Sequence, residues 1–106
     1  MQGIQKYKYL QNVDVSGNKL TTLAALSSLK HLIKLKASHN KLTQLLDFDP
    51  PANLEVADYS HNEIERIVNV GRNKYLKVLI MDHNKIKKIE GLEANKSLRT
   101  LSMNSN

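Results

Sequence analysis

Histidine is the side chain best suited to chemistry near neutral pH, and three of the four here fall in step. His39, His61 and His83 stand 22 residues apart. Imidazoles in register could share a metal ion or sense pH. The spacing speaks against the metal. Residues one period apart on neighbouring strands stand about 5 Å apart in a straight column, and a straight column makes a poor tetrahedral ligand set. Gly17 and Ser105 occupy the same phase, so the position is expected to be an exposed strand end with a structural role. Lys19, Lys41 and Lys85 follow two residues later, interrupted by Glu63, with Lys87 and Lys88 beyond. They predict a partly positive edge, either solvated or facing an acidic partner. No aromatic residues interleave these charges as a stacking platform for nucleic acid requires, so nucleic acid is not an expected partner. Asp47 and Asp49 fall on opposite sides of an extended chain beside two prolines. Glu63, Glu65 and Arg66 crowd one outer turn. All read as surface charge. No phosphate-binding GxxxxGKS/T loop, GxSxG elbow or HExxH pair occurs. The expectation is a protein without enzymatic activity, cofactor, metal or small-molecule substrate.

The histidines keep step because the whole chain repeats. Asn18, Asn40, Asn62, Asn84 and Asn106 are spaced by 22 residues without an insertion. Apolar residues hold the same phase. Leu10, Leu32, Leu54, Leu76 and Leu98 precede each asparagine by eight residues. Val13, Leu35, Ala57, Leu79 and Leu101 precede it by five, and Val15, Ala37, Tyr59, Met81 and Met103 by three. Beyond the asparagines stand Leu20, Leu42, Ile64 and Ile86, then Leu23, Leu45, Ile67 and Ile89, then Leu26, Phe48, Val70 and Leu92. The frame reads LxxLxLxxNxLxxLxxL, the pattern of leucine-rich repeats.

Each position has a physical reason. Alternation at LxL makes a strand with apolar side chains turned inward. Three-residue spacing afterwards suits an extended return or a short 3-10 turn. An asparagine amide both donates and accepts, so in stacked coils it can bond the backbone of adjacent coils as a ladder. The fold class is therefore α/β: a leucine-rich repeat solenoid, a short curved right-handed coil with a parallel sheet on its concave face and an extended or 3-10 convex face. Residues 1–106 form one domain. It has a partial repeat at 1–9, repeats starting at 10, 32, 54 and 76, and a partial repeat at 98–106. Gly3, Ile4 and Tyr7 extend the frame backwards, neither end carries a recognisable cap, and the expectation is a segment of a longer repeat protein. Ile4, Tyr7, Leu98, Leu101 and Met103 should then present apolar surface at the ends. The residues from Asp47 to Asn53 contain two prolines and keep the period, which predicts an extended convex return. Ala37 and Ala57 should make room for the Tyr59 ring. Asn73 and Asn95 read as convex turn residues bonding the backbone.

Composition agrees with a folded domain: 25% of residues are charged, 41% are hydrophobic and only 5% aromatic, so the core must be aliphatic. There is no cysteine, hence no disulfide framework or thiolate zinc site. No apolar run approaches the ~20 residues of a membrane span, and residues 1–11 lack the apolar stretch of a signal peptide. A cytoplasmic protein without membrane insertion is expected. The net charge of +6 permits an acidic protein as partner.

The expected binding surface is the concave face, where residues between the inward leucines point out of the sheet. These are Asn12, Asp14 and Ser16; Lys34, Lys36 and Ser38; Val56, Asp58 and Ser60; Val78, Ile80 and Asp82; and Thr100, Ser102 and Asn104. Val56, Val78 and Ile80 should cluster beside Lys36, Asp58 and Asp82, an apolar centre with a charged rim. Lys34, Thr100 and Ser102 complete the candidate site. The rival surface is the basic edge at Lys87 and Lys88.

The frame LxxLxLxxNxIxxIxGLxxLxx resembles the leucine-rich repeat subclass found in the regulatory subunit of protein phosphatase 1, over essentially the whole chain. Residues Gly3–Asp14 are similar to the early repeats of radial-spoke leucine-rich repeat proteins. Pro50–Leu54 with Ala57–Asn62 looks like the repeat part of leucine-rich repeat proteins that also carry a guanylate kinase domain; no kinase residues occur here. The resemblance implies a protein-binding scaffold in the ciliary axoneme, or alternatively a subunit that docks on an enzyme such as a phosphatase.

Overall fold

The computed structural model describes residues 7, 9–44, 51–68, 70 and 73–106. The expectations attached to Gly3, Ile4, Leu45, Asp47, Phe48, Asp49 and Pro50 lie outside the described residues.

Five three-residue strands recur once per period: β1 (Asn12–Asp14), β2 (Lys34–Lys36), β3 (Val56–Asp58), β4 (Val78–Ile80) and β5 (Thr100–Ser102). They form one sheet in chain order, and every adjacent pair is parallel. The register follows the repeat, with Val13 opposite Leu35, Leu35 opposite Ala57, Ala57 opposite Leu79 and Leu79 opposite Leu101. Pairing continues past each strand, as where Val15 N–H donates to Lys36 O at 2.9 Å and Ala37 N–H to Asp58 O at 2.8 Å. The helical share of the described residues is a 3-10 helix at Ala24–Ser28. The remaining described returns are turns and bends, and no α-helix occurs among the described residues.

The core is the inside of the coil. Leu32, Leu35, Leu54, Leu76 and Leu79 are fully buried, with Leu42, Ile64 and Ile86 from the return chain. Tyr59 is the largest buried side chain, 1% exposed, in the column between Ala37 and Met81. Burial pushes its phenol well above the ordinary tyrosine range.

Apolar positions of the repeat lose their cover at the C-terminal end. Leu101 shares the phase of buried Leu35 and Leu79 yet is half-buried. Ile89 shares the phase of buried Leu23 and Ile67 yet is 63% exposed. The reason is position, since no described coil packs over the last one. Leu92, Leu98 and Met103 are half-buried beside them. The acidic turn also differs. Glu63 and Arg66 pair with the next coil, to Lys85 at 3.4 Å and Glu90 at 3.2 Å, rather than within their own turn.

Candidate functional site on the concave face

The register brings the candidate residues together in columns. Lys34, Val56, Val78 and Thr100 lie opposite one another in turn across β2 to β5. The next column runs Asp14, Lys36, Asp58, Ile80 and Ser102. Val56, Val78 and Ile80 thus adjoin one another, each half-buried, with Asp58 directly across from Ile80. Lys34, Lys36 and Thr100 are exposed. Ser60 departs from the expected solvated face and is buried, its hydroxyl donating to Asp58 Oδ1 at 2.7 Å.

Local hydrogen bonds hold the carboxylates of this face. Asp58 Oδ1 also accepts from Ser60 N–H at 3.0 Å. Asp82 Oδ1 accepts from Ser102 Oγ at 2.7 Å and from Asn104 N–H at 2.8 Å, one coil on. The Ser102 hydroxyl is the main cause holding the Asp82 carboxyl below the usual carboxylate range. Asp14 is lowered too, chiefly by hydrogen bonding to Ser16, with help from the Lys36 charge. Asp82 and Asp14 are therefore ionised at neutral pH.

Where the chain leaves the sheet, the three histidines line one rim. Their rings stack face to face, His39 on His61 with centroids 4.1 Å apart and His61 on His83 at 4.2 Å. Stacked rings cannot aim their nitrogens at one point, and no group of three or more potential ligands among the described residues is placed to hold a metal ion. The two flanking rings strip water from His61 and their charges would repel its own. Both effects lower its pKa, against Asp58 and Asp82, which raise it.

The reason for the column is in the backbone. His39, His61, His83 and Ser105 all have φ between 54° and 60°, and Gly17 in the same phase has φ of 73°. Every coil turns its corner through a left-handed residue. The expectation of an exposed strand end did not include this backbone conformation. Gly17 was the available signal, because glycine is the default residue in that conformation.

Beside the corner run the asparagines. Asn62 Nδ2 donates to Tyr59 O in its own coil at 2.9 Å and to Ala37 O in the preceding coil at 3.1 Å, while its Oδ1 accepts from Leu42 N–H at 3.1 Å. Asn40, Asn84 and Asn106 repeat this geometry. Asn18 bonds Val15 O and Ser16 O of its own coil. A second series went undetected as such. Asn73 and Asn95 are buried on the convex side and bond across coils, Asn73 to Pro51 O at 2.7 Å and Asn95 to Val70 O at 2.9 Å.

The opposite rim, where the strands begin, is aromatic. Tyr9 is 79% exposed with its ring 5.0 Å from that of His31, and Tyr75 is 56% exposed. His31 and Tyr75 border an open cleft of about 310 Å³. Among the described residues no helix is long and apolar enough to cross a membrane.

The coil itself has solved counterparts. An internalin C2 from Listeria monocytogenes superposes with a TM-score of 0.86 over 94% of this chain, at 20% identity. An internalin (inlF) from the same organism gives 0.82 over 97%, at 21% identity. The fold is that of a leucine-rich repeat. No family model and no curated protein matches the sequence. The chain spans 46% and 37% of the two internalins, so it corresponds to less than half of either leucine-rich repeat chain.

Proposed function

We propose that this chain is a non-enzymatic protein-binding module whose contact surface is the concave sheet. The observation that carries this reading is the cluster of Val56, Val78 and Ile80. These apolar side chains adjoin one another on the outward face of the sheet, rimmed by Lys34, Lys36, Asp58 and Asp82. An apolar centre with a charged rim is the anatomy of a protein interface. The same trio could serve only to stiffen the sheet as cross-strand β-branched pairs, and a mutation separates the two roles. Ile80→Asp should weaken partner binding by about 2 kcal/mol or more while barely changing the melting temperature. Lys87→Glu with Lys88→Glu should matter little. The reverse ranking in a binding assay moves the site to the basic edge.

The finer setting of this proposal is a structural scaffold in the ciliary axoneme. It rests on the resemblance of Gly3–Asp14 and of Pro50–Leu54 with Ala57–Asn62 to axonemal proteins. Retention of the protein on demembranated axonemes is the expected result. Recovery with a phosphatase catalytic subunit instead favours the alternative, a regulatory subunit that docks on that enzyme.

A further inference from the structure

The concave face carries more acid than a chain of net charge +6 leads one to expect. It presents Asp14, Asp58 and Asp82 against Lys34 and Lys36. The register sets Lys36 directly between Asp14 and Asp58, so its charge is balanced within the sheet. Among the described residues the ion pairs are Arg66–Glu90, Lys77–Glu55 and Lys85–Glu63, and none uses Asp58 or Asp82. The hydrogen bonds to these two acids fall on Oδ1. Each carboxylate is therefore anchored by one oxygen and retains a second acceptor for an incoming donor. Asp58 lies across from Ile80, and Asp82 follows Ile80 by two residues on the same face. The two acids thus flank the apolar trio.

We propose that the concave face docks a partner segment in which arginine or lysine alternates with aliphatic side chains. The cations meet Asp58 and Asp82, and the aliphatic groups lie on Val56, Val78 and Ile80. This inference rests on the concave-face reading above and names the partner's chemistry. Charge complementarity selects a basic segment over an acidic one, because Lys36 is already flanked by two carboxylates while Asp82, beside the apolar centre, is hydrogen-bonded in place and joins no ion pair among the described residues.

The histidine rim adds a second, independent readout. Asp58 and Asp82 act on His61 from the concave side, and His39 and His83 from its two ring faces. The column beyond, away from the sheet, holds exposed Lys19, Lys41, Glu63 and Lys85, of which Glu63 and Lys85 pair with each other. A proton gained by His61, the middle ring of the stack, offsets the charge of Asp58 and Asp82 and repels the partner's cation. Because His61 is held below the ordinary histidine pKa, docking weakens as pH falls below that value.

The probe is a labelled twelve-residue peptide alternating leucine with arginine, with a counterpart carrying glutamate in place of arginine. Binding is followed by fluorescence anisotropy at low salt. General attraction to a chain of net charge +6 favours the glutamate peptide, so a preference for arginine can only be local. The expected result is arginine-peptide binding at least tenfold tighter than that of the glutamate peptide. Asp58→Asn with Asp82→Asn should weaken it threefold to tenfold, and the amides keep an oxygen for Ser60, Ser102 and Asn104. Lowering the pH from 7.5 to 5.5 should weaken it similarly, and the combined His39→Asn, His61→Asn and His83→Asn variant should lose that pH response. If the double aspartate variant does not fold, Asp58→Asn alone and the pH response carry the test. Equal or tighter binding of the glutamate peptide overturns the proposal. So does an arginine peptide that fails to bind while Ile80→Asp still disrupts the physiological partner, and in that case the concave reading survives. Arginine-peptide binding that is indifferent to Ile80→Ser sinks both.

Discussion

His61 combines two demands that its identity alone does not reveal. Its backbone is left-handed, at φ of 54°, and its ring is the middle one of a stack. A left-handed residue other than glycine costs roughly 1–2 kcal/mol, and branching at Cβ makes that conformation worse. His61→Val should therefore destabilise by more than 1 kcal/mol, whereas His61→Asn should stay near the parent, because asparagine tolerates this region. All three variants lose the ring stack alike; His61→Gly removes the strain but adds freedom to the unfolded chain, so it should fall between the other two. Urea melts of the three variants check the order; valine equal to asparagine would mean that the corner is not strained. This feature was barely legible in the sequence. The 22-residue register placed the histidines in one column, but imidazole type says nothing about φ, and only Gly17 hinted at it.

Coil-to-coil contacts belong to the scale of the element, where sequence reading succeeded best. Alternation between Val13, Leu35, Ala57, Leu79 and Leu101 and their outward neighbours locates all five strands, because a period of two leaves each strand one register that buries its apolar set. The convex side was less legible. Asn73 and Asn95 replace the buried Leu29 of an earlier coil, and nothing in residue type separates an amide that bonds its own turn from one that bonds the next coil. Asn62→Ala tests the main series. It strands the Leu42 N–H and removes a donor from Ala37 O and Tyr59 O. Buried groups left unpaired cost roughly 1–3 kcal/mol, and the melting temperature should drop by roughly 4–8 °C per kcal/mol in a chain of this size. Asn18→Ala should cost less, because Asn18 is exposed and donates its amide within its own coil. Equal losses would show that bonding across coils contributes nothing. Acid acts on the same scale. His61 is lowered in the folded state, so the unfolded chain takes up its proton first, and stability present above the ordinary histidine pKa is lost as pH falls below it. Asp82 and Asp14 are lowered as well, so a second loss follows below the ordinary carboxylate pKa. Urea melts from pH 7.5 to pH 3 should show two declines, and the combined His39→Asn, His61→Asn and His83→Asn variant should show only the lower one.

For the whole molecule, the solenoid's one-dimensional logic decides stability. Each coil touches only its neighbours, so stability is nearly a sum of coil and interface terms, and an end coil lacks one interface. At the C-terminal end that missing interface is visible as surface: Ile89 is 63% exposed, and Leu92, Leu98, Leu101 and Met103 are half-buried. Among the described residues β5 pairs with β4 alone and so also leaves an edge of backbone donors and acceptors. Apolar surface beside an unpaired strand edge favours association with another chain. The 106-residue chain in isolation should therefore self-associate as its concentration rises, and sedimentation velocity measures this directly. Ile89→Lys places a charge in the exposed patch without touching the concave face. It should shift the distribution towards monomer while leaving the melting temperature of dilute protein nearly unchanged, since surface substitutions usually move stability by less than about 0.5 kcal/mol. Ile80→Asp, on the concave face, should not shift it. Association that persists in Ile89→Lys but vanishes in Ile80→Asp would place the self-contact on the concave sheet and leave the open end without a role in it.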